Sequence, residues 1–378
     1  MNLLLSAGEA SGDLHGALLL KALRDQSPGL TAFGMGGPRL VAEGLDRIVA
    51  GEDLSVVGIS EVIEKLPAVF RARAKLEEAA RSRGPDAAVL IDFPDFHDLL
   101  ARRLARAGIP LVYYISPQVW AWRTGRARTI ARRARRILTL FPFEVDIYRR
   151  AGGDAVWVGH PLVDVVREGL RQPSPLPAPA RGRIVLLPGS RRSELRRHWP
   201  PMREAAAALS RRFGSEAVAV RAPGLPEALF PGADERGIRV VSRGLHTLLA
   251  SADLALVASG TATLESALCG TPMVVVYRTS AASFAIARAL VRLPYVSLVN
   301  ILAQERLVPE LIQGDLTAAR LESEAARLLE SASERERTRA GLARVAASLG
   351  PPGASARAAA ALLESVAPAE TSARRSAS

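Results

Sequence analysis

The chain has 378 residues, 48% hydrophobic and 23% charged, a length and balance that predict two globular domains with sizeable cores. Its single cysteine, Cys269, excludes an internal disulfide, fits a reducing compartment and reads as a packing residue in an apolar helix. The net charge is +12, and only Lys21, Lys65 and Lys75 among the 50 basic residues are lysine, a surface suited to nucleic acid, anionic lipid or phosphorylated substrates.

In chain order, "NLLLSAG" predicts a first strand, "AGEASGD" (7–13) a small-residue loop and residues 14–24 a helix. Such a loop brings backbone N–H groups close to a ligand: a phosphate, a sugar or nothing. "VIEKLPAVFRARAKL" is apolar and basic, fitting a core helix or a lipid-facing one, with a clear helix over 69–83. "DAAVLID" is the next strand. It sets Asp92 at a buried strand end and Asp95 three residues on, as a general base or as a structural hydrogen bond and helix cap. "PLVYYIS", "RILTLFPF" and "DAVWVGHP" complete five strands. The arginine-rich tract 123–136 reads as a solvated helix with Ile130, Ala134, Ile137 and Leu138 on one apolar face, or as a face meeting lipid, a substrate phosphate or nucleic acid.

"RQPSPLPAPARGR" reads as an interdomain linker. The strand–helix pattern then restarts with "RIVLLPGS", a helix over 194–213, and the strands "EAVAVRAP", "GIRVVSRG", "ADLALVAS" and "TPMVVVYR". "SFAIARALVRLPYVSL" is again apolar and basic, and the closing "APAETSARRSAS" reads as disordered. Continuous apolar runs separated by helices imply parallel sheets covered on both faces. Two doubly wound domains would leave a cleft, with ligands at the carboxyl ends of strands.

Two further segments sit at such ends. In "LLPGSRRSEL", Gly189 lets the backbone approach a ligand, Ser190 can cap the next helix and Arg191 can meet an anion. In "VASGTATLESALCGTP", Ser259, Gly260 and Thr261 open a helix suited to a pyrophosphate, and Glu265, on the same face as Thr261, can accept from vicinal ribose hydroxyls. The alternatives are an ordinary turn and a capped helix with a solvated Glu265. No Walker loop or G-x-G-x-x-G follows a strand, and the five histidines lack metal-ligand spacing. The stretch 254–277 is broken by Gly260, Glu265, Gly270 and Pro272, and the N-terminus lacks a signal peptide's basic region, so a cytoplasmic protein that touches a membrane at most is expected.

"AGEASGD", "IDFPDF", "SPQVWAWR", "FPFE", "VGHPLVD", "LLPGSRRSEL", "SGTATLESAL", "PMVVVYR" and "YVSLVNILA" occur in the order and spacing of the lipid-A-disaccharide synthase family, over roughly residues 2–330. The resemblance implies an α/β protein of the GT-B fold with two Rossmann-like domains: 1–170 for the lipid acceptor, a linker over 171–182, 183–365 for the UDP-sugar, and a disordered tail, 366–378. It implies an inverting transfer from UDP-2,3-diacylglucosamine to 2,3-diacylglucosamine 1-phosphate without a metal ion or cofactor, at the cytoplasmic face of the inner membrane. In this reading Asp92 is the first candidate base and Glu9 the second. Gly189, Ser190, Arg191, Ser259, Gly260, Thr261, Glu265 and Asn300 bind the donor, and Gly8, Ser11, Gly12 and Asp13 line the acceptor side. Nucleic acid is not a partner. Family members can be homodimers that exchange C-terminal segments. Val299 and Gln304 stand where relatives commonly show proline and glycine, and Arg135-Arg136 replaces a pair that often includes an acid. The competing readings are another GT-B enzyme such as a UDP-N-acetylglucosamine 2-epimerase, a basic nucleic-acid-binding protein, and an idle homologue that binds nucleotide or lipid only.

Overall fold

The computed structural model describes residues 1–54, 59–116, 119, 125–290 and 293–366, with backbone alone at 59–65, 286–287 and 289–290. The chain divides into two compact units: residues 1–161 with the C-terminal segment from Pro351, and Leu162–Gly350. The first holds strands β1 (Asn2–Ala7), β2 (Thr31–Gly36), β3 (Asp46–Ala50), β4 (Ala87–Ile91), β5 (Leu111–Tyr114), β6 (Ala134–Thr139) and β7 (Ala155–Trp157). Between them run α1 (Ala10–Gln26), α2 (Pro38–Ala42), α3 (Ile59–Arg83), α4 (Pro94–Arg106), α5 (Arg126–Arg133) and α6 (Pro142–Arg150). The sheet order is β3-β2-β1-β4-β5-β6-β7, parallel throughout.

The second unit opens with α7 (Leu162–Arg171), then β8 (Arg183–Leu187), α8 (Arg192–Phe213), β9 (Glu216–Val220), β10 (Ile238–Val241), α9 (Leu245–Ala250), β11 (Leu254–Ala258), α10 (Thr261–Leu268) and β12 (Met273–Tyr277). It continues with α11 (Ala281–Leu290), α12 (Leu298–Ala303), β13 (Glu310–Ile312), α13 (Ala318–Glu330) and α14 (Ala332–Ser348). Its parallel sheet has the order β10-β9-β8-β11-β12-β13. The central strands β4, β8 and β11 are buried at every residue, as strands covered on both faces must be. The last described helix, α15 (Ala354–Val366), belongs to the first unit.

Two strands of the first sheet lie outside the five predicted. β2 reads "TAFGMG", and its glycines carry no strand signal; yet a Cβ at Gly34 would lie 2.0 Å from the carbonyl oxygen of Leu5 on β1. β3 is an edge strand that opens on Asp46 and Arg47. The predicted helical face Ile130, Ala134, Ile137 and Leu138 is also corrected. α5 ends at Arg133, Ala134 starts β6, and only Ile130 is helical. Three of the tract's described arginines are paired with acids of the first unit, Arg126 with Asp95, Arg133 with Asp98, and Arg136 with Asp154 and Glu364. Trp120 and Trp122, just before the tract, lie outside the described residues.

The compact units have other bounds than the spans read from sequence. The α7 ring of contacts is with the second unit: Gly169 lies so close to His246 that a Cβ would come within 1.9 Å of Nδ1. The Pro-rich segment is fastened to that unit too. Buried Arg183 donates to the Pro177 carbonyl, to Ser251 Oγ at 2.6 Å and to Glu216. α15 buries Ala358, Ala359 and Leu362 in the first unit; Gln26 Nε2 donates to the Ala356 carbonyl at 2.9 Å, and Arg135 and Arg136 to those of Ser365 and Ala361. The expected disordered tail beyond Val366 lies outside the described residues.

His97 ties α4 to β1 through a 3.0 Å contact between Nε2 and Ser6 Oγ. Burial pushes its pKa down to about 3, so the folded ring is neutral. Stability from this group is complete above the unfolded value near 6.5 and is lost as pH falls toward 3. Between pH 7 and 4.5 the wild type is expected to lose roughly 2–3 kcal/mol more unfolding free energy than His97→Gln. Equal losses in urea titrations would refute a neutral buried ring.

Candidate functional site

Both sheets reverse their winding once. The first runs from β1 through β2 to β3 and resumes on the other side of β1 with β4; the second does the same from β8, resuming with β11. At such a switch point the connections leaving the two central strands diverge and open a crevice at their carboxyl ends.

After β1, Gly8 and Glu9 lead directly into α1. Ser11, Gly12 and Asp13 therefore occupy its first turn, where the sequence reading had a loop. A Cβ on Gly8 would lie 2.2 Å from the Phe93 ring, and Gly12 is buried beside the Ile91 carbonyl. After β4, half-buried Asp92 holds φ +43°, a left-handed conformation that aspartate tolerates better than most residues and that recurs at functional sites. Ser11 Oγ donates to Asp92 Oδ2 at 3.0 Å, so the switch point is bridged by two of the predicted residues. Half-buried Glu9 is the N-cap of α1 and makes no side-chain capping bond. Asp13 is committed to α2. Its Oδ1 accepts from the amides of Gly37 (2.8 Å) and Leu40 (3.0 Å), and its Oδ2 from that of Arg39 (3.0 Å).

After β8, Gly189 turns at φ +123°, and a Cβ there would lie 2.6 Å from Glu194 Oε2. The expected Ser190 cap is replaced. Arg191 is the N-cap of α8, and Glu194 reaches back, its Oε2 accepting from the amides of Ser190 (3.2 Å) and Arg191 (3.3 Å). Glu194 Oε1 accepts from Arg191 Nη1 at 3.0 Å, which holds the partly exposed guanidinium at the crevice. After β11, Gly260 has φ +151°, and α10 begins there without a side-chain cap, at exposed Thr261. Its first-turn N–H groups and the positive end of its dipole are where an anion would be stabilised. Ser259 Oγ donates to the Val296 carbonyl at 3.3 Å. Glu265, one turn into α10, has Oε1 3.0 Å from His246 Nε2.

Buried His198 joins two of these loops. Its Nδ1 donates to the Pro188 carbonyl at 2.8 Å and its Nε2 accepts from the Arg278 amide at 2.9 Å, a pairing that requires the neutral ring. Burial lowers its pKa accordingly. Asn300 is also buried, and its amide is spent within the protein. Nδ2 donates to the Val308 carbonyl and to Glu310 Oε1, each at 2.9 Å, and Oδ1 accepts from the Val308 amide at 2.9 Å. Glu310 accepts from the Val296 and Ser297 amides as well, so Asn300 pins α12 to β13. Gln304 ends α12 at φ +57°, the conformation glycine holds most easily. Burial pushes the Cys269 thiol up to about 12, which suits a packing role.

Glu194 was readable in principle, since a glutamate three residues after an N-cap is a helix-start signal. His198, His246 and Glu310 carry none, because their partners lie 80, 19 and 10 residues away. Among the described residues no group of three or more His, Cys, Asp or Glu could hold a metal ion, and no helix is long and apolar enough to cross a membrane.

The family model of lipid-A-disaccharide synthetase matches residues 3–363. The chain is 44% identical to a lipid-A-disaccharide synthase of Myxococcus xanthus over 97% of this chain and 98% of the relative. It is 46% identical to that of Anaeromyxobacter dehalogenans strain 2CP-C over 93% and 94%. Among solved structures it resembles the calicheamicin glycosyltransferase CalG4 (TM-score 0.62, 17% identity, 97% and 99% covered). It also resembles a UDP-GlcNAc 2-epimerase from Neisseria meningitidis (TM-score 0.58, 10% identity, 97% and 99% covered). Both likenesses carry the GT-B fold.

Asp13→Ala removes the acceptor of three backbone amides and is expected to cost about 2–4 kcal/mol of unfolding free energy. Ser11→Ala is expected to cost about 1 kcal/mol or less. Equal stability of Asp13→Ala and wild type in urea would show that the carboxylate does not hold α2.

Proposed function

The chain belongs to the lipid-A-disaccharide synthetase family, and from that membership we propose that it condenses UDP-2,3-diacylglucosamine with 2,3-diacylglucosamine 1-phosphate, releasing UDP and the β-1,6-linked disaccharide 1-phosphate. The observation that carries this reading is the second switch point, where an uncapped helix start, a guanidinium and a carboxylate one helical turn on match a diphosphate and its ribose.

The second unit takes the donor. The start of α10 at Ser259, Gly260 and Thr261, with Arg191, stabilises the charge on the departing diphosphate. Gly189 and Ser190 bring backbone to it, and Glu265 accepts from the ribose hydroxyls. Asn300 acts through Glu310, by holding the start of α12. The first unit takes the acceptor at Gly8, Ser11 and Gly12. The acceptor 6-hydroxyl loses its proton as it attacks the anomeric carbon, and UDP departs from the opposite face with inversion. Asp92 is the base; Ser11 fixes its carboxylate, and Glu9 is the second candidate. Charge compensation comes from protein groups, so activity is expected to persist in a chelator.

Both substrates carry acyl chains, and the membrane surface is where they reside. α3 supplies a suitable face: Leu66 and Phe70 are 41% and 47% exposed, beside exposed Arg71 and Lys75. The working place is the cytoplasmic face of the inner membrane, and nucleic acid is not a partner.

Mass spectrometry of a detergent-micelle reaction containing EDTA and both substrates should detect a tetraacyl disaccharide 1-phosphate with equimolar UDP. Folded, UDP-binding protein that forms no disaccharide would overturn the substrate assignment. Asp92→Asn is expected to slow turnover by at least about 10²-fold, whereas a near-wild-type rate, with loss in Glu9→Gln instead, would move the base to Glu9. In flotation with anionic vesicles, Leu66→Glu/Phe70→Glu should bind less than wild type; equal binding would remove α3 from the membrane face.

A further inference from the structure

The contact between His246 and Glu265 has no part in the chemistry above, and it joins a helix outside the switch point to the carboxylate assigned to the ribose. Nε2 of His246 lies 3.0 Å from Glu265 Oε1, with side chains 11% and 15% exposed. An ionised glutamate only accepts, so Nε2 carries the proton. We propose that His246 is a positioning residue for nucleotide recognition: it fixes the Glu265 carboxylate so that the vicinal hydroxyls of a nucleoside diphosphate meet a pre-oriented acceptor. The proposal rests on the ribose role of Glu265.

Three features hold the imidazole in place. Its Nδ1 edge lies against Gly169 of α7, where a Cβ would come within 1.9 Å, so the ring occupies the space a larger residue would fill. Its backbone carbonyl accepts from Cys269 Sγ at 3.6 Å, at the far end of the helix that carries Glu265. α9 starts at Gly244 in the left-handed conformation, with Thr247 Oγ1 donating to the Gly244 carbonyl at 3.1 Å. Glutamate has three rotatable side-chain bonds, and immobilising them on binding costs affinity. A donor held rigidly against one carboxylate oxygen meets that cost during folding, before nucleotide arrives.

The test is calorimetric binding of UDP and 2′-deoxy-UDP to wild type, Glu265→Gln, His246→Ala, His246→Gln and the double variant His246→Ala/Glu265→Gln, with thermal midpoints and steady-state kinetics. His246→Ala is expected to weaken UDP roughly tenfold and to raise KM for the nucleotide sugar with kcat nearly unchanged. His246→Gln, which keeps an N–H donor of similar reach, should restore most of the loss. In the Glu265→Gln background His246→Ala should add nothing, since the carboxylate it positions is gone. If Glu265→Gln weakens UDP but His246→Ala does not, the proposal fails while the ribose reading stands. A His246→Ala effect that persists in the double variant, with a lowered thermal midpoint, also overturns it and leaves a packing role. If Glu265→Gln binds UDP like wild type and wild type does not discriminate 2′-deoxy-UDP, the ribose reading itself falls.

Discussion

A helix leaves the amides of its first turn without partners inside the helix, and the way this chain meets that constraint sorts its helix starts into two kinds. Asp13 serves α2, Glu144 reaches the amides of Leu140 and Phe141 before α6, and Glu194 serves α8; Ser297, Thr317 and Ser331 cap α12, α13 and α14. α1 and α10, at the two switch points, begin without a side-chain cap, as do α4, α5 and α9. Glu194 takes up the first amides of α8 while aiming Arg191. The exposed start of α10 keeps its dipole available.

The sequence carried the strands that lead to these places, because β1, β4, β8 and β11 are central strands whose runs are apolar but for Asn2, Ser6 and Arg183. It hid β2, where close packing on Leu5 demands a glycine that lacks any strand preference, and β3, whose edge position permits charge. Asp92 and Ser11 were legible as polar residues at strand and helix ends, but their mutual bond was not, since it spans 81 residues. Asp13 shows the converse. Its place in a small, acidic motif suggested ligand contact, while its three amide bonds lie with a helix that no local pattern connects to it.

The arginine excess is likewise less free than composition implies. Arg126, Arg133, Arg136 and Arg183 are tied to acids or carbonyls within their own units. Arg135 and Arg136, the departure from the family pattern, grip the end of α15. Arginine suits such work because its planar fork reaches several acceptors at once.

That grip has a consequence for biosynthesis. α1 and the first sheet emerge early, but the helix that buries Ala358, Ala359 and Leu362 in their unit is made only after all of Leu162–Gly350. The second unit is contiguous and can mature while the nascent first unit still lacks a helix and exposes the apolar surface meant for it. The first unit, though it begins the sequence, is therefore the last to receive all of its helices.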